Sequence, residues 1–268
     1  MFKLVVGGLS RTPLTVAWWF SRTLAWLWWL VFPIRRAVAI DGFSNAFPDL
    51  PAGPNLRRSV AELVMGYIEL FQEIRRPFVT LTVENAGVVH EHLGKNQGMI
   101  FVAGHFGSWD LLGPMVCRDE ALPATVVVKT PRWKPAADFV RDLRLDFGMG
   151  LLPPRGSFPR IMEEVSSGRI VVFLLDQRYN KGIPIPFFGR SAWTSPVVTV
   201  AAQRSGVPVV GLDYWREGVG DHRARFTGPL EMVGDIEIDS ATIQRYYEEC
   251  IRERPHSGLW LHDRGKQP

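Results

Sequence analysis

Apolar positions along the chain fall into two kinds of pattern. Residues 99–103 (MIFVA), 124–128 (ATVVV), 169–175 (RIVVFLL) and 207–212 (VPVVGL) are continuous runs rich in β-branched side chains. Runs of that length without polar alternation mark strands buried on both faces, the signature of a parallel sheet covered by helices. Helical stretches such as 135–147 and 158–167 separate them. Residues 57–76 carry Val60, Leu63, Val64, Tyr67, Ile68 and Phe71 at helical spacing, which predicts an amphipathic helix with basic ends. Residues 87–97 read as a helix ending near Gly94, LTVENAG (81–87) as a short strand and turn, 223–232 as an edge strand, and 241–255 as a C-terminal helix stopped by Pro255. Together these predict an α/β fold, a single domain with a mostly parallel central sheet flanked by helices.

A different pattern precedes this domain. Leu14 to Phe32 carries a single charge, Arg22 near its middle, and it holds Trp18, Trp19, Trp26, Trp28 and Trp29, half of the ten tryptophans in the chain. A helix of that length just reaches across a hydrocarbon core, whereas a central arginine and so much tryptophan suit the headgroup boundary. Both a short span and an interfacial helix therefore stay open, and residues 1–36 are expected to be an N-terminal membrane-anchoring helix ahead of a main domain at 37–268. Arg35 and Arg36 favour a cytoplasmic main domain. The AVA at 37–39 is cut off from the apolar run by Pro33 and two arginines, the wrong setting for a signal-peptide cleavage site. Proline, glycine and asparagine between 41 and 56 predict a connecting loop.

Composition narrows the function classes. At 268 residues with 46% hydrophobic content the chain can bury a large core. Lysine and arginine outnumber acidic residues by 31 to 27, most of them arginine, which suits planar contact with phosphate or carboxylate. No aromatic-basic stripe and no nucleic-acid signature accompanies that charge, so anionic lipid is the expected partner and nucleic acid is not. Cys117 and Cys250 match no metal or disulfide spacing, which suits a reducing compartment, and no metal or other cofactor is expected.

The candidate chemistry lies in VAGHFGSWDLLG (102–113). His105 falls at the carboxyl end of a predicted strand, where ligands bind in open α/β sheets. Gly104 and Gly107 loosen the turn, and Ser108 is suited to cap the next helix. Five residues apart on one regular helix, His105 and Asp110 would point about 140° away from each other. A break at Ser108 lets them converge, and a carboxylate beside an imidazole fixes its tautomer and stabilises the imidazolium of a general base. HFGSW is no nucleophile elbow, and no second ligand stands at metal spacing. Asp176 and Gln177 occupy a second strand end, on the same edge if the strands are parallel. The long loop after them carries Ile185, Pro186, Phe187 and Phe188, an expected apolar tip facing an acyl chain or a bilayer.

AGHFGSWDLLG, LLDQRYNKGIPIPFFGRSAWTSP and LWLHDRG, in this order, resemble the bacterial lipid A biosynthesis acyltransferases, a group related to the phosphatidylinositol mannoside acyltransferases. The resemblance runs from the N-terminal helix to residue 264. It implies a transferase at the bacterial inner membrane that moves an acyl chain from an acyl carrier protein or coenzyme A thioester to a hydroxyl of an amphipathic lipid. His105 then corresponds to the general base and Asp110 to its orienting carboxylate, with direct attack on the thioester and no acyl-enzyme. Arg144, Arg155, Asp176 and Gln177 correspond to substrate-binding positions, an arginine stabilising developing negative charge and Asp176 holding such an arginine. Asp263 stands where the family usually has a basic residue, and the chain is short for a lipid A enzyme, which leaves the acceptor open. A non-catalytic lipid-binding protein on the same fold is the alternative, and the intact His105 and Asp110 argue against it.

Overall fold

The continuous apolar runs become the middle of a seven-stranded sheet. The computed structural model describes residues 7–129, 131 and 133–266, so the first six residues of the predicted anchor and the last two of the main domain lie outside the described residues. In chain order the elements are α1 (Leu14–Leu30), α2 (Arg36–Ala46), α3 (Ala52–Arg75), β1 (Thr80–Glu84), α4 (Gly87–Gly94), β2 (Met99–Ala103), α5 (Trp109–Asp119), β3 (Ala124–Val127), α6 (Lys134–Asp146), β4 (Gly150–Leu152), α7 (Phe158–Ser166), β5 (Ile170–Leu174), β6 (Ile183–Phe187), β7 (Arg190–Thr194), α8 (Val197–Ser205), β8 (Val209–Gly218), β9 (Asp221–Thr227) and α9 (Ile236–Glu253).

The sheet order is β1-β9-β8-β2-β5-β3-β4, and β6 and β7 form a separate hairpin. Every pair in the large sheet is parallel except β8 with β9. Successive residues of β2 serve opposite faces: Ile100 and Val102 join one core with α2, α7, α8 and α9, while Met99, Phe101 and Ala103 join the other with α5. A strand with both faces buried has no place for polar alternation, which explains the continuous runs. The strand predicted to lie at an edge, now β9, has β1 alongside it. β1 makes that edge because its own pattern is only half-buried.

Two expectations change, and a third, the choice between a span and an interfacial helix for the anchor, narrows. The predicted loop at 41–56 contains the second half of α2 and the start of α3. Ala39, Phe43 and Ala46 give α2 a fully buried stripe, and packing of Phe43 against Trp260 at 5.2 Å outweighs the turn-forming residues between them. Pro54 falls in the first turn of α3, where a missing N–H costs nothing. The apolar tip is mostly turned inward, since Ile185 and Phe188 are buried, Phe188 packs on Phe47 and Trp260, and Phe187 is half-buried, leaving Pro186 exposed.

The anchor is the third. Among the described residues no helix is long and apolar enough to cross a membrane. α1 instead lies along α3 through Ala17, Ser21 and Ala25, small residues one turn apart that let the two helices approach. Met65 and Ile68 of α3 complete that contact. α3 is thus covered on two sides, which buries Leu56, Met65 and Ile68 but leaves Tyr67 on the surface. The opposite face of α1 exposes Val16, Trp19, Phe20, Trp26, Leu27 and Leu30, continued by Val31, Phe32 and Ile34.

Candidate active site

The register of β2 and β5 builds the centre of the site. Ala103 stands beside Leu174 in a parallel pair, so two further residues on each strand bring His105 and Asp176 together beyond the sheet edge. One Asp176 oxygen lies 2.7 Å from His105 Nδ1, and the other accepts the His105 backbone N–H at 2.9 Å. Tyr247 of α9 locks the two strand ends, donating its hydroxyl to the Ala103 carbonyl at 2.9 Å and accepting the Leu175 N–H at 3.3 Å.

This contact sets the tautomer. With Nδ1–H donated to a carboxylate, the neutral ring carries its lone pair on Nε2, which accepts from the Gln177 side-chain amide at 3.2 Å. Burial disfavours the imidazolium, but the Asp176 charge and hydrogen bond outweigh it, and His105 titrates above the ordinary imidazole range. For Asp176 burial pushes the other way, and the charge, side chain and backbone N–H of His105, with Arg264 nearby, hold the carboxyl below its ordinary range. The arrangement is a basic imidazole held by a buried carboxylate. Its chemistry is proton transfer at Nε2.

The carboxylate in contact with His105 is therefore Asp176, where Asp110 was expected. Asp110 does sit in the first turn of α5, but one of its oxygens takes Arg144 Nη2 at 2.8 Å and the other takes the Tyr67 hydroxyl at 3.2 Å. The geometry of an α-helix explains the change: the turn frees His105 from the helix but sends it toward β5, not back over α5. Arg144 is buried on α6 and fixed by Asp110, so the expected Asp176 to arginine contact is made instead by Asp110. Ser108 precedes α5 as expected, yet its side chain makes no capping bond.

Arg155 is exposed on the loop after β4, two strands along the sheet from β5, and makes no ion pair among the described residues. At about 4.8 Å per strand the ends of β4 and β5 stand roughly 10 Å apart along the edge. It belongs to the rim of the site and not to its centre.

The C-terminal segment supplies groups the sequence pattern did not assign. His262 Nε2 accepts the Arg178 backbone N–H at 2.9 Å, and burial, with the Arg264 charge, pushes this histidine down to about 4. Arg264 donates to the carbonyls of Leu175 and Gln177 and to the Gln244 side chain. Burial brings its guanidinium down to about 10. The run LWLHDRG marked this segment by resemblance, but no local periodicity tied it to His105.

Gly258, Leu259 and Trp260 form a partition. On one side is a narrow cleft that holds His105, Trp109, Leu63 and His256. On the other is a cavity of about 510 Å³ between α2, the β6–β7 hairpin and the C-terminal segment, with Asp176, Phe188 and Arg264 in its wall. Among the described residues no group of three histidine, cysteine or acidic side chains is placed to hold a metal ion.

Residues 55–267 match the family model described as bacterial lipid A biosynthesis acyltransferase. No curated protein matches the chain.

Proposed function

We propose that this chain, which belongs to the bacterial lipid A biosynthesis acyltransferase family, transfers an acyl group from a carrier-protein or coenzyme A thioester to a lipid hydroxyl with His105 as the general base. The observation that carries the reading is the His105–Asp176 pair at 2.7 Å, which leaves Nε2 as the only basic nitrogen of the ring. An acceptor hydroxyl displaces the Gln177 amide from Nε2 and gives up its proton there as its oxygen attacks the thioester carbonyl. Collapse of the tetrahedral intermediate breaks the C–S bond, and the imidazolium returns the proton to the leaving thiolate. Asp176 stabilises the imidazolium in between, the role expected of a buried carboxylate in such a pair. Arg144, fixed by Asp110, and Arg155 on the rim are the cations for a substrate phosphate or a developing oxyanion.

The acceptor is an amphipathic lipid, either a lipid A precursor or another glycolipid or lysophospholipid, and the site works at the cytoplasmic face of the inner membrane. The exposed apolar face of α1 supports membrane contact without a span. The Arg57 guanidinium lies 3.9 Å over the Trp26 ring, which places a cation beside this apolar face.

The deciding experiment is acyl transfer by His105→Ala, with thioesters of both carriers and lipids extracted from the host. The expected loss is on the order of 10²- to 10⁴-fold. Transfer at the wild-type rate overturns the mechanism, and absence of transfer by the wild-type chain with every donor favours the lipid-binding alternative. Mass spectrometry of lipids from a strain lacking the chain identifies the acceptor as the species that loses an acyl group.

A further inference from the structure

Ser108 is buried and does not cap its helix, so its hydroxyl has another use. It accepts Nη2 of Arg216 at 3.1 Å. Arg216 lies on β8, is nearly inaccessible, and gives Nη1 to Glu69 of α3. Glu69 is fully buried and also takes the Gly220 backbone N–H at 2.9 Å and His222 Nε2 at 3.0 Å. A buried cation and carboxylate thus stand directly behind the turn that carries His105.

Such a pair is a poor source of stability. The desolvation of two ions offsets most of their attraction, and apolar residues of the same volume often serve folding as well or better. The geometry around Ser108 points to a different use. A Cβ on Gly66 of α3 would lie 2.6 Å from Ser108 Oγ, so the α3 backbone presses on the serine. Gly107 has φ +48°, and a Cβ there would lie 3.2 Å from the Tyr214 carbonyl of β8. The His105 turn is held against α3 and β8 on two sides, and its serine is fastened by a guanidinium that Glu69 keeps in place.

We propose that Arg216 and Glu69 are positioning residues for the catalytic turn, acting through the Arg216–Ser108 hydrogen bond to hold His105 against Asp176. Arg216 does not touch the imidazole. Its guanidinium is suited to the task because its fork engages Glu69 with one arm and Ser108 with the other, which a lysine ammonium at the same place does not reproduce. The inference rests on the proposed role of His105, but its central readout, the His105 titration, does not require turnover.

Two variants cut the link while leaving a cation beside Glu69. Ser108→Ala removes only the hydroxyl, and Arg216→Lys keeps the charge. The measurements are kcat and KM for both substrates, the unfolding midpoint, and the titration of His105 by NMR. The charges that bear on that titration are Asp176 and Asp110, with Arg264 and His262 on the far side of the carboxylate.

A loosened turn weakens the Asp176 contact, so His105 titrates closer to its ordinary value in both variants. The expected loss in kcat is on the order of 10- to 100-fold with little change in KM, as for a small displacement of a reacting group. The double variant Ser108→Ala with Arg216→Lys is expected to lose no more than the worse single variant, because both remove one bond. An unmoved His105 titration in Ser108→Ala overturns the proposal, as do additive losses or a fall in activity that tracks the unfolding midpoint alone. If the wild-type chain transfers no acyl group, the proposed function fails while the titration still decides whether this link positions His105.

Discussion

Removing the Asp176 charge while keeping its shape isolates what the carboxylate does for His105. The imidazole is held above its ordinary value of 6.5 mainly by Asp176 acting against burial. Under the proposed mechanism His105 works as a base in its neutral form, so the acid limb of kcat/KM is expected above that value in the wild-type enzyme. Asp176→Asn is expected to move the limb to lower pH and to cut kcat by about 10²- to 10⁴-fold, since the imidazolium loses its stabilising charge. Asp110 reaches His105 only as a smaller charge effect, so Asp110→Asn is expected to move the limb less and to act through the released Arg144. A shift as large as that of Asp176→Asn would restore the orienting role to Asp110. The same pair links stability to pH. The raised His105 contributes fully below 6.5, and that contribution is lost as pH rises through its folded value. The depressed Asp176 contributes above 3.8 and loses it as pH falls through its folded value. His105 itself was legible from its place at a strand end. Its partner was not, because the five-residue spacing drew attention to Asp110, while the true pairing depends on the register of β2 against β5, which no local pattern carries.

At the scale of elements, strands and helices that bury a simple stripe were readable, and those defined by their neighbours were not. β2, β3, β5 and the start of β8 announce themselves because burial on both faces removes polar positions. All of β6 and β7 were hidden in a stretch of prolines and polar residues that reads as one long loop, and α2 was hidden by glycine and asparagine that packing against Trp260 overrides. α1 shows both effects at once. Its apolar character was plain, but the stripe Ala17, Ser21 and Ala25 commits it to α3, so Trp19 and Trp26 face outward while Trp18, Trp28 and Trp29 pack half-buried against the core, and the tryptophans do not encircle a span. That division predicts how to uncouple membrane contact from folding. Trp19 and Leu30 are each 68% exposed, so replacing both with glutamate removes apolar surface from the outer face without opening the contact with α3. The double variant is expected to fall at least tenfold in co-sedimentation with anionic phospholipid vesicles while its unfolding midpoint stays at the wild-type value. Undiminished vesicle binding would move the membrane contact away from α1.

For the whole molecule, the site is finished only when the chain returns to it at its far end. β2, β5 and their turns place His105 and Asp176, α3 and β8 back the turn, and residues 256–266 then cross the strand ends to divide the cleft from the larger cavity. That crossing was visible in sequence only as the run LWLHDRG, because most of its side-chain hydrogen bonds, those to Ser59, Leu175, Gln177, Arg178 and Thr194, reach residues more than 50 positions away. Arg264 is the pin. It satisfies the Leu175 and Gln177 carbonyls, which flank Asp176, and reaches Gln244 of α9. Arg264→Leu keeps an apolar stem of similar reach but leaves those acceptors without a donor. At about 1–3 kcal/mol for a buried group left unsatisfied, here the Gln244 side chain, the variant is expected to lose about 1–3 kcal/mol of stability against denaturant. The segment beyond Trp260 is also expected to become the first site of proteolytic cleavage under native conditions, because the Arg178 contacts to His262 and Lys266 and the packing of Leu261 do not replace the buried guanidinium. An unchanged denaturation midpoint together with an unchanged cleavage pattern would place the anchorage of this wall elsewhere, in the packing of Trp260 against Phe43 and Phe47.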